Sequence, residues 1–249
     1  MKLSVGIITF NEETKLAATI LAVKEIADEI IIVDSHSSDK TIEIAEENGA
    51  KVYVEEWKGF GAQKNSVLDK CNGEWVLLLD ADEVVSYTLR DDIIETINKA
   101  KYDVYEIKRS AVCFNKKIRF GGFGNDCVIR LWKNGKVHLG NEEVHEKYIT
   151  EAELGKINSP LWHHTYSTLE EYFTKFNKYT TLVANERFKK GKKPSVMKLY
   201  FNPIFRFIKF YFIKLGFLDG VEGFMLAALA SFYTYIKYSK LRLLYRNSK

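Results

Sequence analysis

Apolar residues in the first hundred positions recur in two alternating rhythms. Residues 3–9 (L-S-V-G-I-I-T) form a β-branched run, and after F-N-E-E the apolar positions Leu16, Ile20, Leu21 and Ile26 fall at helical spacing. The pairing repeats. An apolar run at 29–33 stops at D-S-H-S-S-D, whose side chains suit the start of a helix over 40–48, and Gly49 suits its end. A strand at 51–54, a helix over 61–71 and a strand at 75–79 follow. Strands alternating with helices of about ten residues predict right-handed βαβ crossovers and a parallel sheet. The run at 75–79 is apolar on both faces, as in a strand covered on both sides, and it ends in Asp80-Ala81-Asp82-Glu83. Three loops, carrying residues 9–13, 34–39 and 80–83, are thereby predicted to meet at the carboxyl edge of the sheet. Ligands of such sheets collect there.

Beyond residue 87 the rhythm changes twice. A helix is predicted over 88–100, opened by Thr88 with Asp91 as its capping partner, followed by short strands and Gly-rich loops up to Tyr148. This stretch reads as a variable half. Ser167 with Glu170 predicts a second capping box before a long helix carrying Tyr172, Phe173, Phe176 and Tyr179. From Pro194 onward aromatic residues crowd around Arg206, Lys209 and Lys214. On a helical wheel those three cations span an arc of about 140°, which predicts an amphipathic surface helix. Residues 223–236 are apolar but number only 14, short of the about 20 that cross a bilayer.

Composition narrows the class. A chain of 249 residues with 46% hydrophobic content buries a substantial core. Its three cysteines, Cys71, Cys113 and Cys127, have neither zinc-site spacing nor the density of a disulfide scaffold, and a reducing cytoplasm suits them. Met1-Lys2 runs straight into a strand pattern, so no cleaved export signal is expected. The net charge of +4 conceals an asymmetry, with +12 on residues 187–249 and −8 on the rest. A basic, aromatic C-terminal segment predicts peripheral attachment to an anionic leaflet, here the inner face of the cytoplasmic membrane, with helices that simply close the domain as the alternative. No recognised DNA or RNA motif accompanies the charge, so no nucleic-acid partner is expected.

The chemistry is expected at the three loops. No Gly-x-Gly-x-x-Gly follows the first strand and no Walker-type Gly-Lys-Ser/Thr occurs, which argues against a dinucleotide enzyme and a P-loop phosphotransferase. Bound phosphates would need a metal. Asp80 and Asp82 can present hard oxygens to Mg²⁺ or Mn²⁺, and the cation can bridge diphosphate oxygens. An isolated triplet of this kind is more often a capped turn, and its position at the fourth strand is what favours a site. Asp34 can accept from the imide N–H of a uracil, with Phe10 stacking on the ring and Asn11 holding the backbone. Lys64, in the first turn of the third helix, can lie beside a diphosphate.

In order and spacing, V-G-I-I-T-F-N-E-E, I-I-V-D-S-H-S-S-D-K-T, G-A-Q-K-N-S and W-V-L-L-L-D-A-D-E resemble the family-2 glycosyltransferases of the GT-A fold. Downstream, V-I-R-L-W, V-H-E at 144–146, H-H-T-Y-S-T-L-E-E-Y at 163–172 and G-F-L-D-G-V-E-G-F are similar to the lipopolysaccharide inner-core glucosyltransferases. The resemblance implies an α/β GT-A (Rossmann-like) fold, a mixed, mostly parallel sheet flanked by helices, with an amphipathic helical C-terminal extension. It implies a catalytic domain over 1–165, with a donor half at 1–100 and an acceptor half at 101–165, and a membrane-associating helical region over 166–249. The implied reaction is inverting, metal-dependent transfer of a hexose, glucose, from a UDP-sugar to a lipid-linked core glycan. Thr9, Phe10, Asn11, Glu13, Asp34, Ser35, Lys64 and Asp80 would hold the donor, with Asp34 on the base and Asp80 on the ribose or a metal-bound water. Asp82 would bind the metal, joined by the late histidine His163. Glu146 leads Glu143 and Asp126 as the base that deprotonates the acceptor. The competing readings are a nucleotidyltransferase of similar α/β fold and a non-catalytic membrane-bound scaffold with a degenerate transferase domain.

Overall fold

The computed structural model describes residues 2–123, 125–140, 147–193 and 195–248, with only the backbone of Asn125. Its elements alternate at first: β1 (Leu3–Thr9), α1 (Leu16–Val23), β2 (Glu29–Asp34), α2 (Thr41–Glu47), β3 (Lys51–Val54), α3 (Phe60–Leu68) and β4 (Trp75–Asp80). There follow β5 (Glu83–Val85), α4 (Tyr87–Lys99), β6 (Val104–Cys113), β7 (Lys116–Lys117), β8 (Asn125–Lys133), β9 (His138–Leu139), β10 (Tyr148–Ile149) and β11 (Leu154–Tyr166). The chain ends in α5 (Leu169–Lys189), α6 (Val196–Ile208) and α7 (Gly220–Asn247). A nine-stranded mixed sheet has the order β3-β2-β1-β4-β8-β6-β11-β5, with β7 on β6. The first four of these strands are parallel. Register aligns their carboxyl ends: Thr9 sits opposite Asp34 and Ile8 opposite Asp80.

Two compact units make up the chain, Met1–Arg109 with Asp126–His163, and Ser110–Asn125 with His164–Lys249. The second unit thus begins two residues before the boundary expected at 165/166 and also takes up a stretch from the acceptor half. In the first unit, β1, β2 and β4 are sealed on both faces. Ile7, Ile20, Leu77, Leu79, Leu89 and Ile93 build one apolar layer, while Ile31, Val33, Val67, Leu78 and Trp132 build the other. The predicted helix starts shift. α4 is capped by Ser86, which accepts from the Leu89 N–H, so Thr88 already lies inside the helix. α5 is capped by Thr168, which accepts from Glu171, while the Glu171 carboxylate accepts from the Ser167 N–H. The Ser/Thr–x–x–Glu pattern occurs twice in overlap, and the residue that leaves the extended region last becomes the cap.

Within the second unit the apolar stretch at 223–236 is part of one 28-residue helix, α7. α6 continues through a π-turn at Lys209–Ile213, and the chain then reverses through Leu215, at φ +57°. Gly223 allows this elbow to close, because a Cβ there would lie 1.9 Å from the Gly216 carbonyl oxygen. Asp219, buried in the elbow, accepts from the backbone N–H groups of Arg119 and Phe120 at 3.2 and 2.8 Å. Gly223→Ala is expected to lower unfolding free energy by about 2–4 kcal/mol, since backbone rather than a side chain would have to move. Urea denaturation followed by far-UV circular dichroism measures it, and an unchanged midpoint would contradict the packing.

Candidate active site

The loops after β1 and β2 are stitched to each other by side chains. Asp34, fully buried, accepts from Thr9 Oγ1 at 2.7 Å and from the Ser37 N–H and hydroxyl at 2.7 and 2.6 Å. Asn11, at φ +54°, donates its N–H to Ser37 Oγ and accepts from the Ser38 N–H through its side chain, both at 2.8 Å. Glu13 accepts from the Lys40 N–H at 3.1 Å. These bonds hold Phe10 outward, 57% exposed, as a ring without an apolar cover. Ser35 Oγ and Gln63 Nε2 are buried with no hydrogen-bond partner among the described residues. Buried polar atoms of this kind normally find a partner, and a bound ligand is one way to supply it.

Beneath the third loop lies a chain of alternating charges. Lys64, 3% exposed, places its ammonium 2.7 Å from Asp80 Oδ1. Arg130, equally buried on β8, bonds the other oxygen of Asp80, Glu83 Oε1 at 2.8 Å and the Tyr148 hydroxyl. Glu83 is wholly buried and also accepts from the Asp80 N–H at 3.0 Å. Arg109 stands 3.6 Å from Glu83 and grips Asp126 with two bonds, at 3.1 and 2.7 Å. Burial opposes ionisation of Asp80, but Arg130 and Lys64 outweigh it and hold the carboxyl below the usual carboxylate range. Burial likewise opposes ionisation of Asp126, and Arg109 overcomes it, so this carboxyl too is held low.

Asp82 faces the other way. Its Oδ2 lies 3.4 Å from His163 Nε2, and both side chains remain partly open, at 15% and 22%. The pairing of β5 with β11, which sets Glu83 opposite His163, delivers the imidazole there. Burial disfavours the imidazolium, yet Asp82 and Glu83 prevail over it and over Arg109, raising the His163 pKa above its ordinary value. One carboxylate oxygen and one imidazole nitrogen at this separation suit Mn²⁺ or Mg²⁺ if phosphate oxygens and water complete the shell. Among the described residues no group of three His, Cys, Asp or Glu side chains gathers to form an all-protein cage.

The structure therefore brings Thr9, Phe10, Asn11, Glu13, Asp34 and Ser35 to one edge, and joins Lys64 to Asp80 and Asp82 to His163. Of the three base candidates, Glu143 and Glu146 lie outside the described residues. Two residues without a role in the sequence reading, Arg130 and Glu83, turn out to hold Asp80. Their signal was present in V-I-R-L-W and in D-E-V-V: a charge set inside an apolar strand needs a buried counter-charge. Asn65 is a third. Its side-chain amide pairs with both the N–H and the carbonyl of Leu139, at 3.0 and 2.8 Å, fixing β9 to α3.

Residues 4–120 match the family described as Glycosyl transferase family 2. A glycosyltransferase of Rickettsia conorii, itself described as uncharacterized, is 36% identical over 97% of this chain and 90% of its own length. The chain belongs to the family-2 glycosyltransferases. This glycosyltransferase is also 29% identical, over 97% of its length and 92% of the relative, to the lipopolysaccharide core biosynthesis glycosyltransferase LpsC of Rhizobium meliloti. The crystal structure of S. aureus TarS 1-349 in complex with UDP aligns with 100% of this chain and 92% of that one, at 16% identity and a TM-score of 0.49. The mixed sheet flanked by helices, with a long C-terminal helix, is the GT-A arrangement that the motifs imply for such an enzyme.

Proposed function

We propose that this glycosyltransferase moves a hexose, glucose, from a UDP-sugar to a lipid-linked acceptor of the lipopolysaccharide core type, with inversion and with a divalent cation. The observation that carries the reading is the Asp82–His163 pair set beside the Lys64–Asp80–Arg130 bridge at the carboxyl edge of the parallel strands. The similarity to LpsC supports the acceptor class. A carboxylate offers about four acceptor positions. Asp34 uses three of them on Thr9 and Ser37, which leaves one for a uracil imide N–H beneath the exposed Phe10 ring. Lys64 and Arg130 keep Asp80 ionised at the rim, where it accepts from a ribose hydroxyl. Asp82 and His163 would hold the cation, which supplies positive charge to the departing diphosphate.

In the transfer the acceptor oxygen bonds to the anomeric carbon as the bond to the diphosphate oxygen breaks on the opposite face, and the acceptor proton passes to a carboxylate. Asp126 suits that last task poorly, because its bidentate bond to Arg109 keeps it a weak proton acceptor. We assign the base to Glu146, from its place in V-H-E. Glu146→Gln is expected to reduce transfer at least about a thousandfold, as loss of a general base can, while calorimetric affinity for UDP with Mn²⁺ stays unchanged. Substantial residual turnover would remove Glu146 from the role. The donor is tested with a panel of nucleotide sugars assayed for metal-dependent hydrolysis; if none is turned over and UDP fails to bind with Mn²⁺, the scaffold reading replaces this one.

A further inference from the structure

The face of α6 turned to solvent is not the expected one. Leu199 and Pro203 are buried, and Ser231 of α7 donates its hydroxyl to the Pro203 carbonyl at 2.8 Å, so one side of α6 packs on α7. The opposite side is apolar as well. Met197, Tyr200, Phe201, Ile204, Phe205 and Ile208 are all exposed, and on a helical wheel they fill one arc of about 140°. Ile213 at the end of the π-turn, and Leu218 and Val221 at the elbow, are exposed as well, the last at 77%. The cations do not cover it. Arg206 lies over the Phe210 ring at 4.1 Å and Lys214 over the same ring at 5.4 Å, while Lys198 and Lys209 fall beside the apolar arc. A helix with two apolar faces, one of them packed and the other open, needs a second apolar environment. Soluble monomers rarely leave so large a contiguous patch in water.

We infer that α6 and the elbow to α7 form an apolar wedge that inserts into one leaflet of an anionic membrane, lying in the interface without crossing it. Residues 187–218 contain nine Lys or Arg and no Asp or Glu. A second copy applied symmetrically to the same face would set this basic surface against itself, whereas anionic headgroups complement it. Among the described residues no single helix is long and apolar enough to cross a bilayer, and residues Val196–Ile213 and Gly216–Asn247 pass that test only as a pair bent by 69°. The bend fits a segment that enters one leaflet and turns back. Cations at the rim then steer the protein to the surface and the aromatic face holds it there.

The test reads binding without sugar transfer, so it stands or falls apart from the donor and acceptor assignment. Full-length protein is floated on a density gradient with vesicles of phosphatidylcholine, alone or with phosphatidylglycerol. Binding to the anionic vesicles is expected, and protein once bound should stay on them in molar salt. The Phe201→Asp/Phe205→Asp variant alters only exposed side chains and should keep its circular dichroism and unfolding midpoint. Its partitioning should drop about a hundredfold, as two inserted rings give way to charges. Absence of flotation with anionic vesicles overturns the proposal. So does complete release by salt, which would mean purely electrostatic attachment, and so does a light-scattering dimer that the double variant abolishes, which would mean that a second copy covers the face.

Discussion

Arg130→Met is expected to lower unfolding free energy by about 3–5 kcal/mol, the cost of stranding buried charge after one partner of a buried ion pair is removed. Arg130 is only 2% exposed and is shared by Asp80, Glu83 and Tyr148. Its loss leaves the fully buried Glu83 with the distant Arg109, while Asp80 keeps Lys64. The two carboxylates are therefore not equivalent, and a second substitution separates them. Adding Glu83→Gln to Arg130→Met removes the stranded charge, and the double variant should recover about half of the lost stability, a coupling of the size seen between groups in one network. Arg130→Lys should fall between wild type and Arg130→Met, because a single ammonium cannot replace the planar fork that reaches three partners. Urea denaturation measures all three. Equal stability of Arg130→Met and wild type would mean that the network is solvated.

Asp82→Asn should leave stability nearly unchanged, since Asp82 is partly open and its ion pair is with the partly open His163. On the proposed function its effect is expected in catalysis. Removal of the charge at constant shape is expected to lower kcat/KM about a thousandfold, equivalent to about 4 kcal/mol of transition-state stabilisation. UDP affinity should lose its dependence on added Mn²⁺. His163→Ala should weaken metal dependence by a smaller factor, because a neutral nitrogen donor contributes less attraction than a carboxylate. If Asp82→Asn retained both turnover and metal-dependent binding, the cation would have to be held elsewhere. The two substitutions separate the buried Arg130–Glu83 contact, expected to act on stability, from the open Asp82, expected to act on transfer.

The strand and helix rhythm of residues 3–80, the three loops at the carboxyl edge and the doublet Asp80 and Asp82 were all legible in the sequence. They arise from patterns of period 2 and 3.6 and from residues adjacent in the chain. Helix starts were legible only to within one or two residues, as Ser86 and Thr168 show, because overlapping cap sequences compete and tertiary packing selects between them. Arg130 was visible as a cation among apolar neighbours, but its partners lie 50 and 47 residues away. No local pattern encodes that distance; the antiparallel pairing of β4 with β8 does.

What the amino-acid sequence by itself determined is the parallel half of the sheet, the family and the residues gathered at its loops, since burial periodicity and turn chemistry act over a few residues. Only the tertiary structure decided which of the charges are spent on one another. Lys64 and Arg130 are held by Asp80, Arg109 by Asp126, and Asp82 is left to His163, because desolvation forces every buried charge to find an opposite one within reach. It also decided which side of α6 meets solvent. A helix with two apolar faces carries no preference between them, and contact with α7 on the Leu199–Pro203 side turned Phe201 and Phe205 outward.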